Sequence, residues 1–127
     1  MPDAQLGAVG GLQKVATTPL AGFTLQNATP NILTWTAPND GNLHRVQFFI
    51  TWDVTSAETG GAFGITWTAP DGTSGSVNLS AGGSGMGIHT PATPYVAIIK
   101  SGSTITLNQT SALTAGAAVL WAEMWGA

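Results

Sequence analysis

Apolar and polar residues alternate with a period of two through most of this chain. Between Leu43 and Val54, one phase holds Val46, Phe48, Ile50, Trp52 and Val54, and the other holds Arg45, Gln47, Thr51 and Asp53. That is the pattern of a strand with one buried and one wet face. Phe63, Ile65 and Trp67 alternate in the same way with Gly64, Thr66 and Thr68, as do Ile105 and Leu107 with Thr104, Thr106 and Asn108. The spacing predicts strands over Phe23–Gln26, Asn31–Thr36, Leu43–Val54, Ala62–Ala69, Ser74–Ser80, Tyr95–Lys100, Ser103–Gln109 and Ala117–Trp125. Pro, Gly, Asn-Asp-Gly, Asp-Gly and Ser-Gly punctuate them. One phrase occurs twice: Thr34-Trp35-Thr36-Ala37-Pro38 before Asn39-Asp40-Gly41, and Thr66-Trp67-Thr68-Ala69-Pro70 before Asp71-Gly72. In each, Thr and Trp suit a half-buried pleated surface, and Pro followed by Asp-Gly ends the strand in a turn. Strands broken this often and this regularly predict an all-β sandwich or barrel.

The last predicted strand differs from the others. Val119, Trp121, Glu123 and Trp125 form one face, and Leu120, Ala122 and Met124 the other. A strand apolar on both faces is covered on both. One face enters the core, and the other is expected in a subunit contact, with Leu120, Trp121, Met124 and Trp125 as the candidate interface residues. Ahead of the strands, residues 1–22 carry glycines and prolines with no clear period. Leu6, Val9, Leu12, Val15 and Leu20 make this stretch more apolar than a disordered tail. It reads as an extended N-terminal arm that docks on a neighbour, leaving 23–127 as the β domain. Residues 81–94 are Gly-rich and read as a loop or as a short strand bracketed by glycines.

Composition sharpens the expectation of assembly. Only 7% of the 127 residues are charged, against roughly a quarter in an ordinary soluble domain. Lys14, Arg45 and Lys100 are scattered and face six acids, which argues against nucleic acid as a partner. Mean hydropathy is positive, and large exposed apolar patches are rarely tolerated on a monomer. There are no cysteines, so disulfides and thiolate metal sites are excluded. The opening Met1-Pro2-Asp3-Ala4-Gln5 lacks the features of a secretory signal, and no apolar run reaches bilayer length. The expectation is a protein made in a cytoplasm, with no membrane partner.

Candidate chemistry is sparse. The possible general bases are His44 and His89, neither in a nucleophile motif, and the carboxylates are too scattered to nominate a glycosidase pair. Gly82-Gly83-Ser84-Gly85 resembles neither a phosphate-binding loop nor a dinucleotide turn. No enzyme activity, cofactor or catalytic residue is expected. His44 or His89 around a threefold axis, or Asp40 and Asp53 for calcium, lack ligand spacing, so no metal is expected either. Five tryptophans invite a carbohydrate-binding reading. Trp52 and Trp67 lie in the apolar phase of their strands and read as core, leaving Trp35, Trp121 and Trp125 as candidate surface aromatics. Asn27-Ala28-Thr29, Asn78-Leu79-Ser80 and Asn108-Gln109-Thr110 match the glycosylation sequon but come without a secretory signal.

The order of the pieces carries a resemblance. A strand ends in Thr36-Ala37-Pro38-Asn39-Asp40-Gly41, the long strand Leu43–Val54 follows, and Gly64-Ile65-Thr66-Trp67-Thr68-Ala69-Pro70-Asp71-Gly72 comes next. Later come Val96–Thr106, containing Lys100-Ser101-Gly102-Ser103-Thr104-Ile105-Thr106, and an aromatic final strand. Over residues 23–127 this resembles the small jelly-roll domains of tailed-phage virion proteins, similar in layout to the tumour-necrosis-factor and complement globular-head folds. The resemblance implies an antiparallel two-sheet jelly-roll sandwich and a homotrimer with the closing strand near its axis. It also implies a structural virion protein that decorates the capsid exterior, with the major capsid protein as partner and the arm as contact. The alternative it leaves is a module at a head-fibre or tail-fibre tip that binds a host surface glycan or receptor. The absence of shaft repeats favours decoration.

Overall fold

In a computed structural model, which describes residues 11–25, 31–80, 85–91 and 93–127, the chain is all β and the described residues contain no helix. The strands are β1 (Gln13–Thr17), β2 (Phe23–Leu25), β3 (Leu33–Thr36), β4 (His44–Thr68), β5 (Ser74–Ser80), β6 (Gly87–His89), β7 (Tyr95–Ile99) and β8 (Thr104–Gly126). Two of them, β4 and β8, run much longer than the alternation predicts. Each joins two expected strands, and they pair antiparallel from Val46↔Gly126 to Thr66↔Thr106. Register shifts interrupt the ladder between Val54 and Phe63, and Gly61 and Gly116 take positive φ there. A bulge bends its strand and increases local twist, so the ladder curls instead of ending.

The curl makes two layers from one sheet. In the first, the N-terminal half of β4 lies between the C-terminal half of β8 and the short strands β7 and β6, while β1 and β2 extend the sheet beyond β8. In the second, β3 pairs with the N-terminal half of β8, and β5 with the C-terminal half of β4. Trp52 and Phe63 lie on opposite sides of the bend of β4, yet their rings meet edge-on at 5.3 Å. The inward phases merge into one core: Val46, Phe48, Ile50, Trp52 and Val54 from one half of β4, Phe63 and Ile65 from the other, and Ile105, Leu107, Leu120 and Met124 from β8.

Three sequence expectations change at this point. The sequence predicts an arm over residues 1–22 that is not part of the core, but Gln13–Thr17 pair with β8 and Leu12 is buried. The bulge between Lys14 and Ala16 breaks the alternation of β1 and hides its period in the sequence. Leu6 and Val9 lie outside the described residues. Within the 81–94 stretch, the short-strand reading applies to Gly87–His89, which pair with Val54–Trp52. Finally, Leu120 and Met124, named as interface candidates, are fully buried in the chain's own core. The core took the apolar phase of β8 that carries no charge.

Candidate functional site

The densest group of chemistry-bearing side chains sits where β4 begins. The turn Pro38–Asn42 places Asp40 one helical-type step before His44, and the far end of β8 brings in Ala127. His44 is buried; its Nε2–H donates to Asp40 Oδ1 at 2.8 Å and its Nδ1–H to the carbonyl oxygen of Ala127. Both partners are acceptors, so the site favours the doubly protonated, cationic imidazole. The Asp40 bond raises the His44 pKa, against the opposing effect of burial, and Ala127 adds to the rise. Asp40 is lowered to about 2, first by the Asn42 backbone N–H and then by His44. Ser101 completes the corner: its Oγ accepts from the Asp40 and Gly41 amides at 2.9 Å and donates to Pro38 O at 3.1 Å.

Asp, His and Ser therefore meet, but not as a nucleophile and its base. A triad needs an imidazole nitrogen free to take the serine proton. Here both nitrogens are committed to oxygen acceptors, and the serine hydroxyl is spent on the turn backbone. The arrangement clasps the start of β4 to the end of β8 and to the loop after β7, and the Ala127 N–H bond to Arg45 O at 3.1 Å reinforces it. His89 is likewise engaged, stacked on Trp52 at 5.5 Å with Nε2 bonded to Gly85 O. Among the described residues, no three His, Asp or Glu side chains come together as metal ligands.

The outward phases of the two layers differ sharply. On the β3–β8–β4–β5 layer, Thr34, Thr106, Thr66 and Ser76 form one row across the strands, and Thr36 with Thr104, and Thr68 with Ser74, lie along the next. Among the described residues, this face offers hydroxyls and Asn amides and no charged side chain. On the first layer, the outward phase of β4 and β8 holds Arg45, Gln47, Phe49, Thr51, Trp121, Glu123 and Trp125. Phe49 is 40% exposed, and Val96 and Ile98 on β7 are 54% and 40% exposed. Ile88 pairs with Asp53 and so lies on this face, and the exposed Leu43 and Met86 immediately precede β4 and β6. Trp121 and Trp125 are half-buried here, and Phe49 meets Trp125 edge-on at 6.5 Å. Lys14 pairs with Glu123 at 3.2 Å.

Leu20, 97% exposed, stands beside this face on a turn closed by Gly22 N–H to Pro19 O at 2.8 Å. The Trp121 indole N–H donates to Leu20 O at 2.9 Å and pins the turn down. A Cβ at Gly22 would lie 2.3 Å from Val119 Cγ1, so only glycine lets the turn approach this closely. A groove of about 300 Å³ runs between the turn and Phe49, lined also by Thr51, Trp121 and Glu123. A second, of about 220 Å³, lies on the other side of Phe49, toward Thr90, Pro91 and Tyr95.

Of the sequence candidates, Trp121 and Trp125 lie together on this outer face, and Leu20 beside it. Leu120 and Met124 are under the sheet, Leu12 is buried, and Val15 is half-buried within β1. Trp52 is core, and Trp67 and Trp35 are half-buried against it; Trp67 lies over Gly75 and Trp35 over Gly126. The residues sequence reasoning passed over are Phe49, Val96 and Ile98. The signal was present: Phe49 stands in the polar phase between Gln47 and Thr51, and residues 96–99 are apolar in both phases.

The profile of the bacterial Ig domain family matches residues 15–81. No curated protein and no solved structure matches the chain significantly.

Proposed function

Since this chain belongs to the bacterial Ig domain family, we propose that it is a structural module that acts by association and carries no catalytic activity. In this reading it is a jelly-roll-like virion protein, made in the host cytoplasm, whose homotrimers sit on the outside of a capsid and stabilise the shell. One observation carries the reading: among the described residues, the large exposed apolar side chains gather on and around one sheet face, while the other face is hydroxyl-rich and uncharged. A face of that kind marks an association surface. Stabilisation follows from mass action, because a trimer that binds only the assembled lattice favours that lattice. Contact with the major capsid protein falls to the turn between β1 and β2, where Leu20 is the fully presented apolar residue. Sedimentation of the purified protein should give the mass of three protomers, and mixing with undecorated shells should move it into the pellet and raise their disruption temperature. A protein that stays in the supernatant at every concentration would defeat the decoration role.

A second reading has its own support. The groove between Leu20 and Phe49 sets the Trp121 ring beside Thr51 and Glu123, an apolar platform with polar groups of the kind that fits a sugar ring. Here the trimer would present a host glycan site. Quenching or shift of tryptophan fluorescence by oligosaccharides, abolished in Trp121→Ala, is the outcome this reading requires.

A further inference from the structure

β5 is the outermost strand of the second layer: among the described residues it pairs with β4 and with nothing beyond it. Sheet edges ordinarily carry a device that blocks further pairing, such as a charge, a proline, a bulge or shortness. β1 has Lys14 and a bulge, and β2 and β6 are three residues long. β3 is four residues long and stops before Pro38, and β7 runs only between Pro94 and Lys100. β5 has none of these devices. Its seven residues hold no charge and no proline, and they pair with β4 from Ala62↔Ser80 to Thr68↔Ser74 without a register shift.

The hairpin that enters β5 fixes the phase of its backbone groups. The Ala69 N–H donates to Thr73 O at 2.8 Å, and in an antiparallel ladder the hydrogen-bonded pairs recur at every second residue. Gly75, Val77 and Leu79 therefore turn their N–H and C=O toward β4, in agreement with Val77 O lying 2.7 Å from where a Cβ on Gly64 would stand. Ser74, Ser76, Asn78 and Ser80 turn theirs to the open edge. An antiparallel copy of the same strand, centred on Val77, sets Ser76 against Asn78 and Ser74 against Ser80, and takes up all of those groups in one register. The same register puts Leu79 of one copy beside Gly75 of the other. The Trp67 ring lies over Gly75, 2.4 Å from where a Cβ would stand, and Leu79 is half-buried, so each Leu79 meets an aromatic surface. No like charges oppose, because the strand has none, although the whole chain carries a net charge of −3.

We propose that the open edge of β5 is where a second copy of this chain adds, by antiparallel β5–β5 pairing about a twofold axis. Such a contact is isologous and joins copies in pairs. It is separate from the trimer contact proposed above and holds whether or not the chain is trimeric. A single strand pair is a small contact beside the ~800 Å² per partner of a stable interface. It therefore forms where copies are concentrated, as on a shared surface, and dilute protein keeps the mass it has without it.

The chain has no cysteine, so introduced cysteines report the contact. Val77→Cys sets the new thiols of two copies directly opposite each other at the ~4.5 Å Cα spacing of a non-hydrogen-bonded pair, within disulfide reach. Mild oxidation of the concentrated full chain should give a disulfide-linked dimer on a non-reducing gel, and Ser74→Cys should not. Adding Ser76→Pro to Val77→Cys should abolish the dimer, since the Ser76 N–H points off the edge and its loss leaves the ladder with β4 intact. Should Val77→Cys not fold, Ser76→Cys and Asn78→Cys, both at exposed positions, should cross-link to each other when mixed and not when oxidised alone. Cysteine variants that stay monomeric on the gel, or a Val77→Cys that cross-links no better than Ser74→Cys, overturn the proposal. Hydrogen exchange at the Ser76 and Asn78 amides of the wild type identifies the occupant. Protection that rises with concentration belongs to a second copy. Protection indifferent to dilution gives the edge to a segment of the same chain, and no protection at any concentration leaves it to a different protein; either result overturns the pairing.

Discussion

Leu120 lies on β8 opposite Trp52 and Phe23, with none of its surface exposed. Leu120→Ala removes roughly three buried carbons at ~0.8 kcal/mol each, which is about 2.4 kcal/mol of lost transfer energy. Its neighbours are strands of a bent ladder that cannot move independently, so the site collapses incompletely. A residual void adds ~24 cal/mol per Å³, bringing the expected loss to about 3–4 kcal/mol. That is a large share of the ~5–15 kcal/mol holding a domain together. For a chain of this length it corresponds to a drop in melting temperature of roughly 10–15 °C. Urea unfolding followed by tryptophan fluorescence should show a lower midpoint with an unchanged slope. Comparing wild type and variant at equal protomer concentration removes the mass-action contribution of assembly. A variant with an altered sedimentation mass but an unchanged unfolding midpoint would refute the reasoning, because Leu120 would then be a contact between subunits and not core.

The His44 clasp predicts a pH dependence of known sign. Its folded pKa is raised, so its stabilisation is full below the unfolded value of ~6.5 and is lost as pH rises through the folded value. Asp40, lowered to about 2, stabilises above ~3.8 and loses its contribution as pH falls toward 2. Melting temperature should therefore decline as pH rises above ~6.5, and His44→Gln should flatten that decline; an unchanged slope in the variant would remove His44 as its source. Gly22→Ala, at φ +88° with its new Cβ 2.3 Å from Val119 Cγ1, should cost about 2 kcal/mol and free the Trp121 indole, which fluorescence would register. Gly75→Ala places a Cβ 2.4 Å from the Trp67 ring; it should cost about 1–3 kcal/mol by overpacking, whereas Gly72→Ala, with no atom within 4 Å, should cost only its backbone strain.

Much of this fold was legible because alternation is a local property. β5 spans Ser74–Ser80 as its punctuation predicts, and the apolar phase from Val46 to Val54 is the phase the core receives. The repeated Thr-Trp-Thr phrase sends both tryptophans inward and all four threonines outward, as a period of two requires. The clasp was half visible: Asp40 and His44 are neighbours in the chain, while Ala127 and Ser101 reach them only through the sheet. β1 was not legible, since a bulge shifts its phase and pairing with β8 decides its existence.

The sequence by itself determined an all-β chain, the inward phase of each regular strand and the shortage of charge. The last strand marks where that stopped. Apolar residues in both phases of residues 119–125 require cover on both faces, but period alone treats the two phases alike. Only the tertiary structure decided that Leu120 and Met124 go under the sheet and that Trp121 and Trp125 lie on top beside Phe49. The reason is that burial belongs to the layer and not to the strand. The curl of β4 and β8 brings two faces of one sheet together, and the phase pointing into that closed space becomes core.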